Sequence, residues 1–367
     1  MPEGNKEPEG LSMTRKSCMQ YLKYSGKIST LALSGLAGLV VALLLGTLGI
    51  YAWQGYKPSS PPNMPREQVV IAANNEYVGS CSVIVAQEKN FFTNEGLIVK
   101  INPYTSGKAA MAAIIEKKAD IGTVADIPVM FAGLDKTPIS VIATIFVGEK
   151  DHGIVGRKDR GISAAASLRG KKIGVPLSTS AHFTLDAFLN RQKLLPNEVT
   201  TRNYKPEELS TALADGDIDA VAIWEPFLGA AMGKLGSNGV IFYGQEVYES
   251  IYNMVGTQSY ISEHPEAIKK ILRALIQGAK VCNDSPDEAQ EIVSKTTKID
   301  INTLKASWSS YRFDISLDQG LILALEDEAR WAIKNKLTDK TKVPNYLNNI
   351  HIETLESVSP SVVTIIH

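Results

Sequence analysis

Three hydroxyls and an imidazole stand together at Ser178-Thr179-Ser180-Ala181-His182, just after the short apolar run Lys172–Val175. A helix is predicted from about Ala181 to Gln192, and the first N–H groups of any helix lack intrahelical partners. Those donors, with the hydroxyls of Ser178, Thr179 and Ser180, could hold an anion. A capping box would require Glu or Gln three residues after the cap. The residues there are Ala181, His182 and Phe183, and the first acid, Asp186, lies beyond the first turn. The runs starting near 206 and 264 instead carry Glu207 and Glu208, and Glu263 and Glu266, which satisfy their own helix ends. The plain alternative at Ser178 is ordinary hydroxyl capping with His182 on the surface.

Other candidates sit at similar junctions. Ser80 and Cys81 lie between a first strand and its helix, and Thr105 and Ser106 form the next such loop; either pair could contact a ligand or only cap. Asp126 could accept from a ligand amine or cap the helix it precedes. Trp224 could stack on a ligand and Glu225 could accept a hydrogen bond, or the first could be core and the second a helix-start acid. Glu149, Asp151 and His152 are candidate hinge or rim residues. No arginine falls on these loops, and a dianion usually recruits one. The chemistry suits a monoanion, a zwitterion or a neutral polar molecule, with an acid at 126 or 225 serving a zwitterion.

The elements that must position these residues alternate. Strands are predicted at 69–73, 97–104, 121–124 and 139–147, separated by helices at 81–92, 108–117 and 127–134. A second run has strands at 172–175, 200–204, 218–224 and 240–243, with helices at 181–192, 207–214 and 226–235. This order implies α/β architecture with largely parallel sheets. From His264 the chain turns helical. Pro265–Asn283 keeps Ile268, Ile271, Leu272, Leu275, Ile276, Ala279 and Cys282 on one face, and a further helix is expected over about 318–335. Two α/β units with a helical return suggest two lobes and a cleft, with ligand loops at the carboxyl ends of the strands.

The chain has 367 residues and a formal net charge of −1, so it carries no electrostatic footprint for nucleic acid. Three cysteines without a C-x-x-C argue against a disulfide framework or a zinc site. Cys18 precedes a hydrophobic segment, leaving Cys81 and Cys282 as the two that could share a compartment; the sequence does not decide whether they pair. From Ile28 to Tyr56 there is no charged residue, and Leu31–Ile50 is long enough to span a bilayer core of about 30 Å. Arg15, Lys16, Lys23 and Lys27 precede it, which puts residues 1–27 in the cytoplasm, 28–56 across the membrane and the remainder outside. The apolar run is longer than that of a signal peptide and has no Ala-x-Ala site, Thr47-Leu48-Gly49 being a poor substitute, so an uncleaved anchor is expected. Residues 57–66 contain four prolines and read as a stiff spacer.

Four stretches carry a family resemblance. Ala86-Gln-Glu-Lys-Asn-Phe-Phe-Thr-Asn-Glu-Gly-Leu-Ile-Val99 resembles A-x-E-K-G-F-F-x-x-E-G-L-x-V; Lys118–Asp126 resembles G-x-A-D-I-G-x-x-x. Ser167–Pro176 with Ser178–His182 resembles S-L-K-G-K-K-x-A-V…S-S-A-H, and Ala214–Pro226 resembles x-x-G-x-V-D-A-x-x-x-W-E-P. The chain from about 68 to 367 thus resembles the sulfonate, taurine and nitrate branch of type II periplasmic substrate-binding proteins, a group that includes thiamine-pyrimidine-precursor binders. The resemblance implies a two-lobed fold with mixed sheets, lobe 1 formed by 67–152 plus 259–367 and lobe 2 by 153–258. It also implies ligand contact by the Ser80–Cys81 loop, a zwitterion such as taurine as one ligand, and an ABC permease with its ATPase as partners. The protein anchor is a departure, since most relatives diffuse freely or carry a lipid.

Delivery of a small molecule to a permease is therefore the expected role, at the cytoplasmic membrane with the binding domain outside. A tethered sensor is a second class. An enzyme is a third, because eukaryotic thiamine-pyrimidine synthases resemble this group; their cysteine-rich run is absent. No H-E-x-x-H, G-x-S-x-G, P-loop or C-x-x-C occurs, and no cofactor or metal motif is present. His152 and His182 could act as acid-base groups, but the sequence pairs neither with a nucleophile.

Overall fold

The apolar, β-branched run Glu67–Ala73 forms strand β1, its last three residues buried. It pairs in parallel with β2 (Leu97–Pro103) and β3 (Ile121–Ala125). Parallel neighbours need crossovers. These are α1 (Cys81–Glu88) with the short α2 (Phe91–Asn94), and then α3 (Gly107–Ile115). The helix expected over 81–92 is broken at Asn90, which adopts a left-handed φ of 59°. Next come α4 (Asp126–Leu134) and β4 (Ile139–Gly148), the latter buried along almost its whole length, as a strand covered on both faces should be. The computed structural model describes residues 66–366 except Gln245. The cytoplasmic segment, the anchor and the linker up to Pro65 lie outside the described residues.

The chain then crosses into a second sheet. It runs β5 (His152–Arg157), β6 (Lys172–Val175), α5 (Ser180–Arg191), β7 (Thr200–Asn203), α6 (Pro206–Asp215), β8 (Ala220–Trp224), α7 (Phe227–Leu235) and β9 (Gly239–Tyr243). The strand order is β7-β6-β8-β5-β9. The β6 strand is parallel to both its neighbours, while β5 is antiparallel to β8 and β9. On returning, β10 (Ser250–Thr257) inserts antiparallel between β3 and β4. A helical run follows: α8 (Gln258–Glu263), α9 (Pro265–Asp284), α10 (Pro286–Thr297) and α11 (Ile301–Ser307). The strand β11 (Tyr311–Arg312), α12 (Gln319–Lys334) and α13 (Ile352–Val358) complete the chain. The first sheet has order β11-β4-β10-β3-β1-β2. This is a two-lobed α/β fold with mixed sheets.

Three strands were not foreseen, β5, β10 and the two-residue β11, and the first two begin where the chain changes sheet. In β5 the sequence His-Gly-Ile-Val-Gly-Arg dilutes the β signal with glycines that the packing requires; a Cβ on Gly153 would lie 2.8 Å from the Phe242 carbonyl oxygen. Because β10 pairs with β3 and β4, Ser250–Thr257 belongs to the first sheet and not to the second lobe, where the expected boundary at 258 had put it. The return crossing falls between Tyr243 and Ser250.

The apolar face of α9 is buried as its periodicity implies, apart from half-exposed Ile276. Its Gly278 lies so close to α1 that a Cβ would come within 2.2 Å of the Ser82 carbonyl oxygen. That approach brings Cys282 against Cys81, and the two form a disulfide with Cα atoms 6.5 Å apart across 201 residues of sequence. The sequence had left this pairing undecided. Nothing local in the sequence signals it, because it depends on α9 docking on α1.

Candidate functional site

The carboxyl ends of β1, β3, β6 and β8 face one cleft between the sheets, the position expected for ligands of open α/β sheets. The first lobe contributes Asn74, Tyr77, Ser106 and Lys108 to its walls. The second contributes Thr179, Ser180 and Trp224, and the crossings contribute His152, Ser250 and Tyr252. The lobes close tightly here and leave a cavity of about 20 Å³, room for a water-sized group. The lobes touch at its rim: Lys108 Nζ donates to the Leu177 carbonyl at 3.0 Å. Farther out, Trp331 Nε1 on α12 donates to Asp186 Oδ2 on α5 at 3.0 Å.

The start of α5 is built to leave donors free. Thr179 is the N-cap residue, yet its hydroxyl turns away and donates to the Pro176 carbonyl at 2.6 Å. Ser178 takes a left-handed φ of 59°, and its N–H meets His182 Nδ1 at 3.4 Å. No acid lies in the first turn. Among the described residues nothing accepts from the backbone N–H of Ser180 or Ala181. Trp224 Nε1 is likewise buried without a partner among the described residues. Lys108 brings a cation to the same cleft; burial lowers its pKa from the usual lysine value.

Beside these donors runs a buried hydrogen-bonded chain. His152 Nδ1 lies 2.9 Å from Asp151 Oδ1, and His152 Nε2 lies 2.8 Å from Ser180 Oγ. Asp151, His152 and Ser180 are 1%, 4% and 5% exposed. The second Asp151 oxygen accepts from the Tyr77 hydroxyl, which also sits 3.1 Å from Ser250 Oγ. Burial and the adjacent Asp151 charge push the Tyr77 pKa well up, so the phenol keeps its proton and donates it. The sequence reading had Asp151 and His152 as hinge or rim residues and gave His152 no nucleophile; Ser180, 28 residues downstream, is its partner.

The remaining candidates are placed differently. Ser80 is fully buried, with its hydroxyl donating to the Asn74 carbonyl at 2.7 Å, just behind the cleft wall. Cys81 faces α9 through the disulfide, so its side chain is not available to a ligand; the loop reading is corrected there. Ser106 lines the cleft and also caps α3, accepting from Ala109 N at 3.2 Å, while its neighbour Thr105 is half-buried. Glu225 Oε2 accepts from Gly229 N at 3.0 Å as a helix-start acid. His182 packs edge-on against Trp331, at the seam between α5 and α12; burial lowers its pKa. Asp126 is completely buried, with Oδ1 accepting from Ile127 N at 2.8 Å and from the Tyr248 hydroxyl at 2.7 Å. Its carboxyl faces Glu328 of α12; burial raises Asp126 to about 6 and, with the Asp126 charge, holds Glu328 well above the usual glutamate range.

Asn74, Tyr77, Lys108, Ser250 and Tyr252 were not anticipated. Asn74 directly follows β1, so the strand-end rule alone would have found it; Lys108 is the second residue of α3, next to the Thr105–Ser106 loop already singled out. Ser250 and Tyr252 lie on β10, which was itself not foreseen. Among the described residues no cluster of three or more His, Cys, Asp or Glu is placed to hold a metal, and no helix is long and apolar enough to cross a membrane.

Comparison with known proteins agrees with this architecture. The taurine-binding periplasmic protein of Escherichia coli K12 is 26% identical over 224 residues, covering 59% of this chain and 68% of that protein. The alkanesulfonate-binding protein SsuA from Xanthomonas axonopodis pv. citri, solved bound to MOPS, superposes with a TM-score of 0.68 at 17% identity, covering 79% of this chain and 99% of that one. The desulfurization enzyme DSZB has the same fold at a TM-score of 0.57 and 16% identity, covering 81% and 99%. The profile of NMT1/THI5-like proteins matches residues 79–289. With more than half of its length matched, the chain belongs to the NMT1/THI5-like family.

Proposed function

We propose that this protein is the ligand-receiving component of an ABC importer, held outside the cytoplasmic membrane by residues 28–56, and that its ligand is a sulfonate-class monoanion of the taurine or alkanesulfonate kind. The observation that carries this reading is the donor set of the cleft. The free N–H groups at the start of α5, Trp224 Nε1 and Lys108 offer hydrogen bonds and one positive charge. A sulfonate has one charge spread over three acceptor oxygens, which matches several N–H donors and a single cation.

Ligand held by both walls stabilises the form in which the lobes touch, and it does so only by its differential affinity for that form. A permease that reads this form, with its ATPase, then receives the cargo. The Cys81–Cys282 bridge supports the outside location, because disulfides persist in oxidising compartments.

The test is a thermal-shift and calorimetric panel on the full chain in detergent, with taurine, alkanesulfonates and nitrate. At 100 times its dissociation constant a ligand adds about 2.7 kcal/mol of stability. For a folded unit of this size that is a rise of about 4 °C. A saturable rise with sulfonates is expected; a folded protein that responds to none of them would end the sulfonate reading. Reconstitution with the permease and its ATPase separates delivery from sensing, since only delivery moves ligand across the bilayer.

A further inference from the structure

The Asp151–His152–Ser180 chain has more order than a binding site requires. A carboxylate on Nδ1 fixes the neutral imidazole with its proton on that nitrogen, which leaves Nε2 as an acceptor. Ser180 Oγ–H at 2.8 Å is then its donor. Asp151 is itself fixed: Tyr77 holds its second oxygen, and its backbone carbonyl accepts from Glu225 N at 2.9 Å. The His152 ring is held between the Tyr248 ring, edge-on at 5.0 Å, and the tilted Trp224 ring at 6.0 Å. Nucleophile, base and orienting acid therefore stand in the order that acyl-transfer enzymes use on unrelated folds. The free N–H groups of Ser180 and Ala181 lie beside that oxygen, where a tetrahedral oxyanion would form. Both Ser180 and His152 line the cleft.

We propose that Ser180 is an activated nucleophile and that the cleft hydrolyses small carboxylic esters through an acyl-Ser180 intermediate. Ser180 Oγ bonds to the ester carbonyl carbon while its proton passes to His152 Nε2. The carbonyl π pair moves onto oxygen, facing the Ser180 and Ala181 N–H groups. Collapse breaks the bond to the alkoxy oxygen, which takes the proton from His152 and leaves as the alcohol. Water then attacks the acyl carbon, giving its proton to His152, and the carboxylic acid departs as Ser180 regains its hydrogen. Ester and water become acid and alcohol, with no other reactant. Ser180 and His152 are the catalytic residues and Asp151 is a positioning residue. The inference shares the anion position with the sulfonate reading: a tetrahedral sulfonate seated there has the shape of the intermediate.

The experiment treats the full chain in detergent with phenylmethylsulfonyl fluoride, whose sulfur accepts Ser Oγ as fluoride leaves, and follows intact mass and peptide maps. One adduct on Ser180 is expected, with none on Ser180→Ala. His152→Gln should label at least about 100-fold more slowly, the usual worth of a general base. Asp151→Asn should also slow labelling and shift its pH profile, which a purely structural role would not do. Melting curves confirm that each variant is folded, and a p-nitrophenyl acetate burst on the wild-type chain supplies a second readout of the acyl intermediate. An unlabelled Ser180 with no burst, or labelling at the wild-type rate in folded His152→Gln, overturns the proposal. Labelling that an alkanesulfonate does not slow keeps the nucleophile and removes the sulfonate reading; slowed labelling supports both.

Discussion

Breaking the Cys81–Cys282 bridge tests how far α9 holds the first lobe together. The bridge closes a loop of 201 residues, and the chain-entropy relation gives such a loop about 5 kcal/mol of stabilisation. Residual structure in the unfolded chain lowers this, and measured losses fall at about 2–5 kcal/mol. With roughly 300 folded residues and about 2.1 cal/mol/K of unfolding entropy for each, the expected fall in Tm is about 3–8 °C. The perturbation is made twice, by dithiothreitol on the native chain and by the double substitution Cys81→Ala with Cys282→Ala. Thiol titration of the denatured chain should find one free thiol before reduction, that of Cys18, and three after it. Since the Cys81 side chain faces α9 and not the cleft, ligand affinity should change by less than about twofold. Three free thiols in protein taken from an oxidising compartment, or an unchanged Tm after reduction, would refute the pairing. Lost affinity in a variant still folded at the assay temperature would refute the assignment of Cys81 to the core.

Other outcomes follow from buried charge and close packing. Asp126 and Glu328 hold protons in the folded state at pH values where the unfolded chain has released them, so stability should fall as pH rises from about 4 through 6, with Glu328 extending the fall upward. Asp126→Asn keeps the Oδ1 acceptor and removes about 3 kcal/mol of this penalty; its Tm should match wild type near pH 4 and exceed it by about 5 °C at pH 8, and equal Tm values at both would count against a buried carboxyl pair. Lys108→Ala should weaken sulfonate binding by roughly tenfold to a hundredfold in calorimetry, the usual worth of a charge-assisted hydrogen bond; unchanged affinity would remove Lys108 from the site. Gly278→Ala must push α9 off α1 and should cost about 1–3 kcal/mol by urea melt, so an unshifted midpoint would show that the helices are not in the contact described.

What could be read from the residues alone was what they determine locally. The strand Lys172–Val175 appears where its apolar run lies, and α5 begins one residue before its expected start, because an N-terminus without acids is a property of a few consecutive residues. The open donors at Ser180 were visible for the same reason. The base beside them was not, since Ser180 meets His152 only once α5 docks on β5. β5 and β10 escaped because their glycines answer to packing against distant residues, and the cysteine pair because 201 residues separate its halves. Asp126 shows a further limit. Its position at the expected start of a helix suggested a ligand contact or a cap, but its partner Glu328 arrives from α12, some 200 residues later.

A single phenol marks where the second lobe joins the first. The Tyr77 hydroxyl touches Asp151, the last residue before β5, and Ser250, the first residue of β10. The outgoing and incoming chains therefore pass through one small doorway, and residues 152–249 form a guest segment whose ends nearly meet inside an otherwise continuous host. A segment with adjoining ends can be exchanged without asking the host to change shape. The host keeps its own covalent clasp at Cys81 and Cys282, outside the exchanged stretch. The lobe that carries Thr179, Ser180 and Trp224 is in this sense a cassette: half of the cleft's chemistry can be replaced as one piece, by recombination or by design, while the other half stays in place.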